Sequence, residues 1–323
     1  MGVGRSGNLG AQVAKGKVTR HASRSNMANC NCFFCLPSPS EGNSWKSTAL
    51  CLLGGAALAS ASIVFVSRIW EKFRQKNTVY PEDTVVLHQF QRAKHVPSLS
   101  PFCLKLETFL RMHNIPYMTI LDSPLSSKGK MPWIQFNQSR VEDATFSVMF
   151  LSETFHIEVN GMSGSVTSQQ KAMSRAVVSL VEESLYWTVA YCRWVDHVDQ
   201  TRAELPYDGV LKFVVPWMMA GIILREMYAH GIGKNSREEL YRIMEGDLKA
   251  LSDLLGEQSF ILGERPCEAD CSLFGVLAQI MWTLPGTRAE ALVKGEYINL
   301  ANYCIRMREL FWPDWSRIVT EKH

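Results

Sequence analysis

A chain of 323 residues with 46% hydrophobic content can bury a sizeable core and hold two domains. Its formal net charge is only +3, and its 34 basic and 31 acidic residues are spread without a basic stripe, so nucleic acid is not expected as a partner. Nine cysteines, an odd total scattered through a large chain, do not make a disulfide framework and favour a reducing compartment for the body.

In chain order, residues 1–46 are rich in Gly, Ser, Asn and basic residues and read as disordered. Met1-Gly2-Val3-Gly4-Arg5-Ser6 fits the short N-myristoylation pattern. Cys30, Cys32 and Cys35 lack a fourth ligand for zinc and suit palmitoylation better. From Ser47 to Ser67 there is no charged residue. As a helix, roughly 21 residues at 1.5 Å each would just cross a ~30 Å hydrocarbon core, which predicts a transmembrane helix over 47–67. A buried core helix or a signal-peptide core are the competing readings, although a signal peptide would start nearer residue 1. Only Lys46 precedes the span closely, whereas Arg68, Lys72, Arg74 and Lys76 follow it, so the positive-inside rule places the C-terminal body in the cytosol. The sequon Asn137-Gln138-Ser139 would be used only if the body were luminal. Gly55 and Ala59 give a small-xxx-small spacing that leaves a homodimer open.

A charged linker, 68–83, leads into the body. Strands are predicted over Thr84–Gln89, Tyr117–Leu121, Trp133–Phe136 and Arg140–Val141, with helices over Pro101–His113 and Asp143–Phe155. This βαβ-ββα order predicts a thioredoxin-like domain over 84–158. After Gly161 the strand signals stop and an all-helical domain over 165–315 is expected. Its helices are predicted over Ser165–Val198, Val210–His230 with Pro216 inside, Arg237–Leu255, Cys267–Leu284 and Ile298–Phe311. Tyr186, Trp187 and Trp194, at helical spacing, read as core.

Two short runs carry the chemistry. Ser98-Leu99-Ser100-Pro101-Phe102-Cys103 opens a helix directly after a strand, where free N–H groups and the positive dipole end suit a thiolate or carboxylate. Met131-Pro132-Trp133 sets a proline before the next strand, which invites a cis bond facing that helix. Neither a metal-ligand spacing nor a Gly-rich phosphate loop accompanies them.

A thioredoxin-like half followed by a helical half resembles the glutathione transferase superfamily over roughly residues 84–312. Ser100-Pro101-Phe102-Cys103 resembles the Cys-Pro-Tyr-Cys site of glutaredoxins with serine in the nucleophile's place, Met131-Pro132 resembles the superfamily's cis-proline pair, and Phe260-Ile261-Leu262-Gly263 through Ala269-Asp270 resembles its helix-capping segment. Closer still, Pro97-Ser98-Leu99-Ser100-Pro101-Phe102-Cys103, Gly129-Lys130-Met131-Pro132-Trp133-Ile134, Tyr186-Trp187-Thr188-Val189-Ala190-Tyr191-Cys192 and Met281-Trp282-Thr283-Leu284-Pro285-Gly286-Thr287 resemble the failed axon connections family, as does Phe311-Trp312-Pro313-Asp314-Trp315. That resemblance implies metaxin-like glutathione transferase domains, an N-terminal span in longer members and a role in axonal development.

Carried over residue by residue, it implies a thiol-facing role for Ser100, a resolving position for Cys103, and glutathione-binding positions at Met131, Pro132, Asp143 and Ala144. Serine cannot form a mixed disulfide but can donate to a glutathione thiolate, and it is a good helix cap in any case. The acid at Asp143 is kept while the hydroxyl that usually follows it is lost, and shifting the register by one puts Glu142 and Asp143 there instead. Cys267 stands where a Ser or Thr cap is usual, a substitution expected to cost on the order of 1 kcal/mol. The reading favoured is a membrane-anchored, non-catalytic binding or adaptor module with an unknown protein partner. Its alternative is a tethered glutathione-dependent thiol transferase or peroxidase, with glutathione as cofactor. A metaxin-like part in a membrane import assembly is the third.

Overall fold

A central strand buried on both faces needs an unbroken apolar run, and β1 (Val85–Gln89) supplies one in Val85, Val86 and Leu87 before burying His88 and Gln89 as well. The structure, a computed structural model, describes residues 80–157 and 167–320. The segment 1–46, the expected span 47–67, the lipidation candidates and most of the linker lie outside the described residues. Among the described residues no helix is long and apolar enough to cross a membrane.

The chain continues through α1 (Pro101–Met112), β2 (Tyr117–Leu121), β3 (Trp133–Phe136), β4 (Ser139–Glu142) and α2 (Ala144–Thr154). The four strands lie in the order β2-β1-β3-β4, with β1 and β2 parallel and the other pairs antiparallel. Leu106, Phe109 and Leu110 of α1 pack with Val85, Leu87 and Ile134 of the sheet and with Val148 and Leu151 of α2. This is the thioredoxin-like half.

The helical half begins at α3 (Ser168–Leu180), which Thr167 and Gln170 close in a reciprocal capping box. The single helix expected over Ser165–Val198 is instead an α-helix interrupted by two π turns, Val181–Leu185 and Cys192–Asp196, with α4 (Tyr186–Tyr191) between them. It stops at His197, and α5 (Val198–Glu204) follows. Both π turns send charged residues to other elements: Glu182 to Lys105 and Glu183 to His230 from the first, and Arg193 to Gln279 and Asp196 to Arg237 from the second. Next come α6 (Leu211–His230), which runs through Pro216, then α7 (Arg237–Leu255), α8 (Glu268–Thr283), α9 (Arg288–Ala291), α10 (Ile298–Phe311) and α11 (Trp315–Thr320). α5, α9 and α11, at four to seven residues, are too short for hydrophobic periodicity to announce them. Tyr186, Trp187 and Trp194, expected in the core, are half-buried and pack against its margins.

α8 is the axle of the second half. Leu273, Phe274, Leu277 and Ile280 sit in the main helical core, while Cys271 on the same helix joins the core of the thioredoxin-like half. Its close approach to α1 depends on Gly275, where a Cβ would come within 2.5 Å of the Pro101 carbonyl oxygen. The capping segment keeps its carboxylate half: Asp270 accepts from the Cys267 amide at 2.7 Å and from the Ile261 amide at 3.0 Å.

Candidate functional site

Three bonds fix the start of α1 from within. The Ser100 hydroxyl accepts from the Cys103 amide at 3.3 Å, the Ser98 hydroxyl accepts from the Ser100 amide at 3.2 Å, and the Ser100 carbonyl accepts from Leu104 at 3.1 Å. Ser100 is therefore the N-cap of α1, with Pro101 in the first turn where its missing N–H costs nothing. The helical half holds the same loop from outside. Arg193 donates to the Leu99 carbonyl at 2.7 Å, to Gln279 at 2.9 Å and to Thr283 at 2.7 Å, while Gln279 donates to the Ser98 carbonyl at 3.1 Å. Burial brings the Arg193 guanidinium down to about 10, and the side-chain partners it bonds are neutral.

Cys103 is fully buried in a small cluster with Met131 and Trp133. Burial pushes its thiol up to about 11, so at neutral pH it is neither ionised nor reachable. The Met131–Pro132 bond is cis. Trp133 donates its indole N–H to the Pro124 carbonyl at 2.9 Å, and its ring is sandwiched by His88 at 3.6 Å and the Arg140 guanidinium at 3.9 Å. Burial, and secondarily Arg140, lower His88 to about 4, so this ring is neutral.

Asp143 caps α2 with a backbone φ of 84°, a conformation non-glycine residues rarely adopt. One carboxylate oxygen accepts from the Thr145 amide at 3.0 Å and the other faces the Lys130 ammonium at 3.1 Å. Asp143 is thus tied to the residue that heads the Met131–Pro132 loop. Ala144 buries its methyl in the apolar core. The hydroxyl missing at residue 144 recurs one place later, where Thr145 donates to Glu182 at 3.3 Å.

Behind these residues lies a charged cluster that the sequence did not announce. Lys105, buried one turn beyond the α1 cap, donates to Glu182 at 2.7 Å and to Glu268 at 3.4 Å. Glu182 also accepts from Ser272 at 2.7 Å. Burial pulls the Lys105 ammonium down, but Glu182 and Glu268 outweigh it and hold it above its usual value. The cluster joins α1, α2, the first π turn and α8. The only sequence signals for it were charges inside otherwise apolar helices, as also for Arg193.

The structure thus places Cys103 against Met131, Ser100 at the head of the same helix and Asp143 against the loop's first residue. Two open surface depressions among the described residues lie elsewhere, one lined by Met149, Ser152, Glu153 and His156 and the other by Tyr80, Asp83, Gln135 and Asn137. Neither includes a predicted site residue.

Comparison with known proteins agrees with this geometry. The family model described as the glutathione S-transferase N-terminal domain matches residues 101–200, and that of the C-terminal domain matches residues 244–307. "Failed axon connections" of Drosophila melanogaster is 29% identical over 276 residues, 78% of this chain and 63% of that protein. The chain is glutathione-transferase-like, of the failed axon connections type. It spans less than two thirds of that relative's length. Metaxin-2 of Mus musculus is 26% identical, covering 74% of this chain and 92% of its own length. An isoprene-epoxide–glutathione S-transferase of Rhodococcus is 26% identical, over 70% of this chain and 99% of its own. Among solved structures, a beta-etherase from Sphingobium superposes with a TM-score of 0.53 at 15% identity, over 74% of this chain and 99% of that one, and so shares the fold.

Proposed function

We propose that this chain is a membrane-anchored binding module of the failed axon connections type, without robust catalysis and with its body in the cytosol. The name of its Drosophila relative points to a role in axonal connections for this chain too. The observation that supports the non-catalytic part is the structural use made of the three polar side chains carried over to the candidate site. The Ser100 hydroxyl caps an amide, the Cys103 thiol is buried, and the Asp143 carboxylate is shared between Thr145 and Lys130. A ligand would have to displace Lys130 or the Thr145 amide to engage Asp143 and open the core to reach Cys103, which leaves the Ser100 O–H as the remaining donor. The anchor rests on the uncharged stretch 47–67 and on the cluster of cations just after it.

A second reading, a tethered glutathione-dependent transferase, draws on the similarity to a protein named as a glutathione S-transferase and on a serine hydroxyl at a helix N-terminus that can donate to a thiolate. Calorimetric titration of glutathione into the detergent-solubilised full chain, beside Ser100→Ala, separates the two. The binding-module reading expects no heat at millimolar glutathione in either protein. Binding that Ser100→Ala weakens would establish the transferase reading instead.

A further inference from the structure

The four most exposed large apolar residues among the described residues all lie on or beside α6: Trp217 at 77%, Val210 at 76%, Tyr228 at 64% and Phe213 at 61%. At 100° per residue, Val210, Phe213, Trp217, Leu224 and Tyr228 fall within about 60° of arc, so they form one stripe along the helix. α6 is held along the side next to the stripe, about 70–110° round from its middle, where Ile223 and Met227 are buried against Ala190 and Leu240. The N-terminal family match ends at residue 200 and the C-terminal one begins at 244. α6 therefore lies between the two matched domains, and its outward stripe packs into neither core.

The geometry points to a lipid bilayer surface as the occupant of this stripe, with α6 lying in the membrane interface. Three observations favour lipid over a second copy of the chain. First, the stripe is one narrow helix face about 30 Å long and 10–12 Å wide, the shape of a helix lying in a membrane interface rather than of the broad patch a stable dimer uses. Second, a cation accompanies the aromatic ring at each end of the stripe. The Lys234 ammonium lies 5.7 Å from the Tyr228 ring, and the Arg202 guanidinium, which also pairs with Asp199 at 2.6 Å, lies 4.9 Å from the Phe213 ring. Apolar and aromatic groups flanked by cations suit the boundary between acyl chains and anionic headgroups. Third, resting on the anchored reading above, the linker between Ser67 and Tyr80 is only 12 residues long. It reaches at most about 40 Å, which keeps the body beside the bilayer and makes docking an intramolecular event.

The test uses the full chain, reconstituted into vesicles of about four parts phosphatidylcholine to one part phosphatidylserine, with a photoreactive benzophenone amino acid replacing Trp217. Lipid adducts at position 217 are expected. Adding Phe213→Ser, Leu224→Ser and Tyr228→Ser is expected to lower their yield at least tenfold, with the circular dichroism spectrum unchanged because these side chains are exposed. Cross-links to a second copy, cross-links to another part of the same chain, or no lipid adduct would each overturn the docking. Alkaline carbonate extraction of the same vesicles tests the anchor separately. A chain that resists extraction yet gives no adduct fails on docking alone, and one that is stripped after giving adducts fails on the anchor alone.

Discussion

The first turn of α1 and the turn after it differ sharply, although Ser100 and Lys105 are five residues apart. The first turn makes local bonds: Ser100 caps Cys103, and the loop before it is held by neutral groups and Arg193. The second turn sends Lys105 across the domain boundary to carboxylates on two other elements. In the family it resembles, the first turn would hold the chemistry and the second would be scaffold. Here the second turn keeps its charged groups paired, while Ser100 caps the helix start and Cys103 packs in the core. A fold is retained by its buried network, and the network does not require the site to act.

The largest effect should come from the second turn. Lys105→Met leaves Glu182 and Glu268 facing each other without their cation, and urea unfolding should show a loss of about 3 kcal/mol or more. Adding Glu182→Leu should recover part of it, since removing both partners costs less than removing one. Arg193→Met leaves Gln279, Thr283 and the Leu99 carbonyl short of a donor, for an expected loss of about 2 kcal/mol in the same measurement. If Ser100→Ala cost as much as Lys105→Met, the contrast between the two turns would collapse. It should cost only about 1 kcal/mol, the value of a helix cap.

Cys103 provides a kinetic readout of the same turn. It should react with a thiol reagent only through opening, and the opening equilibrium in Ser100→Ala should raise its labelling rate about fivefold. The smallest effect is with pH. His88 and His113 are lowered from 6.5 to about 4, chiefly by burial, so between those values the unfolded chain binds more protons than the folded one. Stability should be level above about pH 6.5, fall as pH drops towards 4 and level off below it, as urea midpoints across that window would show.

Much of the thioredoxin-like half was legible because its signals are local. Apolar runs bounded by turns gave β2 and β3 to the residue, and Ser-Pro and an acid before Ala144 marked the starts of α1 and α2. The helical half was harder. The run from Ser168 to Asp196 reads as one helix because a π turn adds a residue without breaking the apolar face. The stripe on α6 was invisible for a related reason. An apolar helix looks the same in sequence whether it is buried all round, as α8 nearly is, or buried on one side only.

The sequence by itself determined the fold class, the position of the candidate site and the uncharged stretch 47–67, because capping, strand periodicity and hydropathy are properties of neighbouring residues. Only the tertiary structure decided that Cys103 is sealed against Met131 and Trp133, that Lys105 meets Glu182 and Glu268 from 77 and 163 residues away, and that α6 turns its aromatic face outward. Those outcomes depend on which distant surfaces exclude water together, and desolvation at a site is set by everything packed around it rather than by the residues on either side.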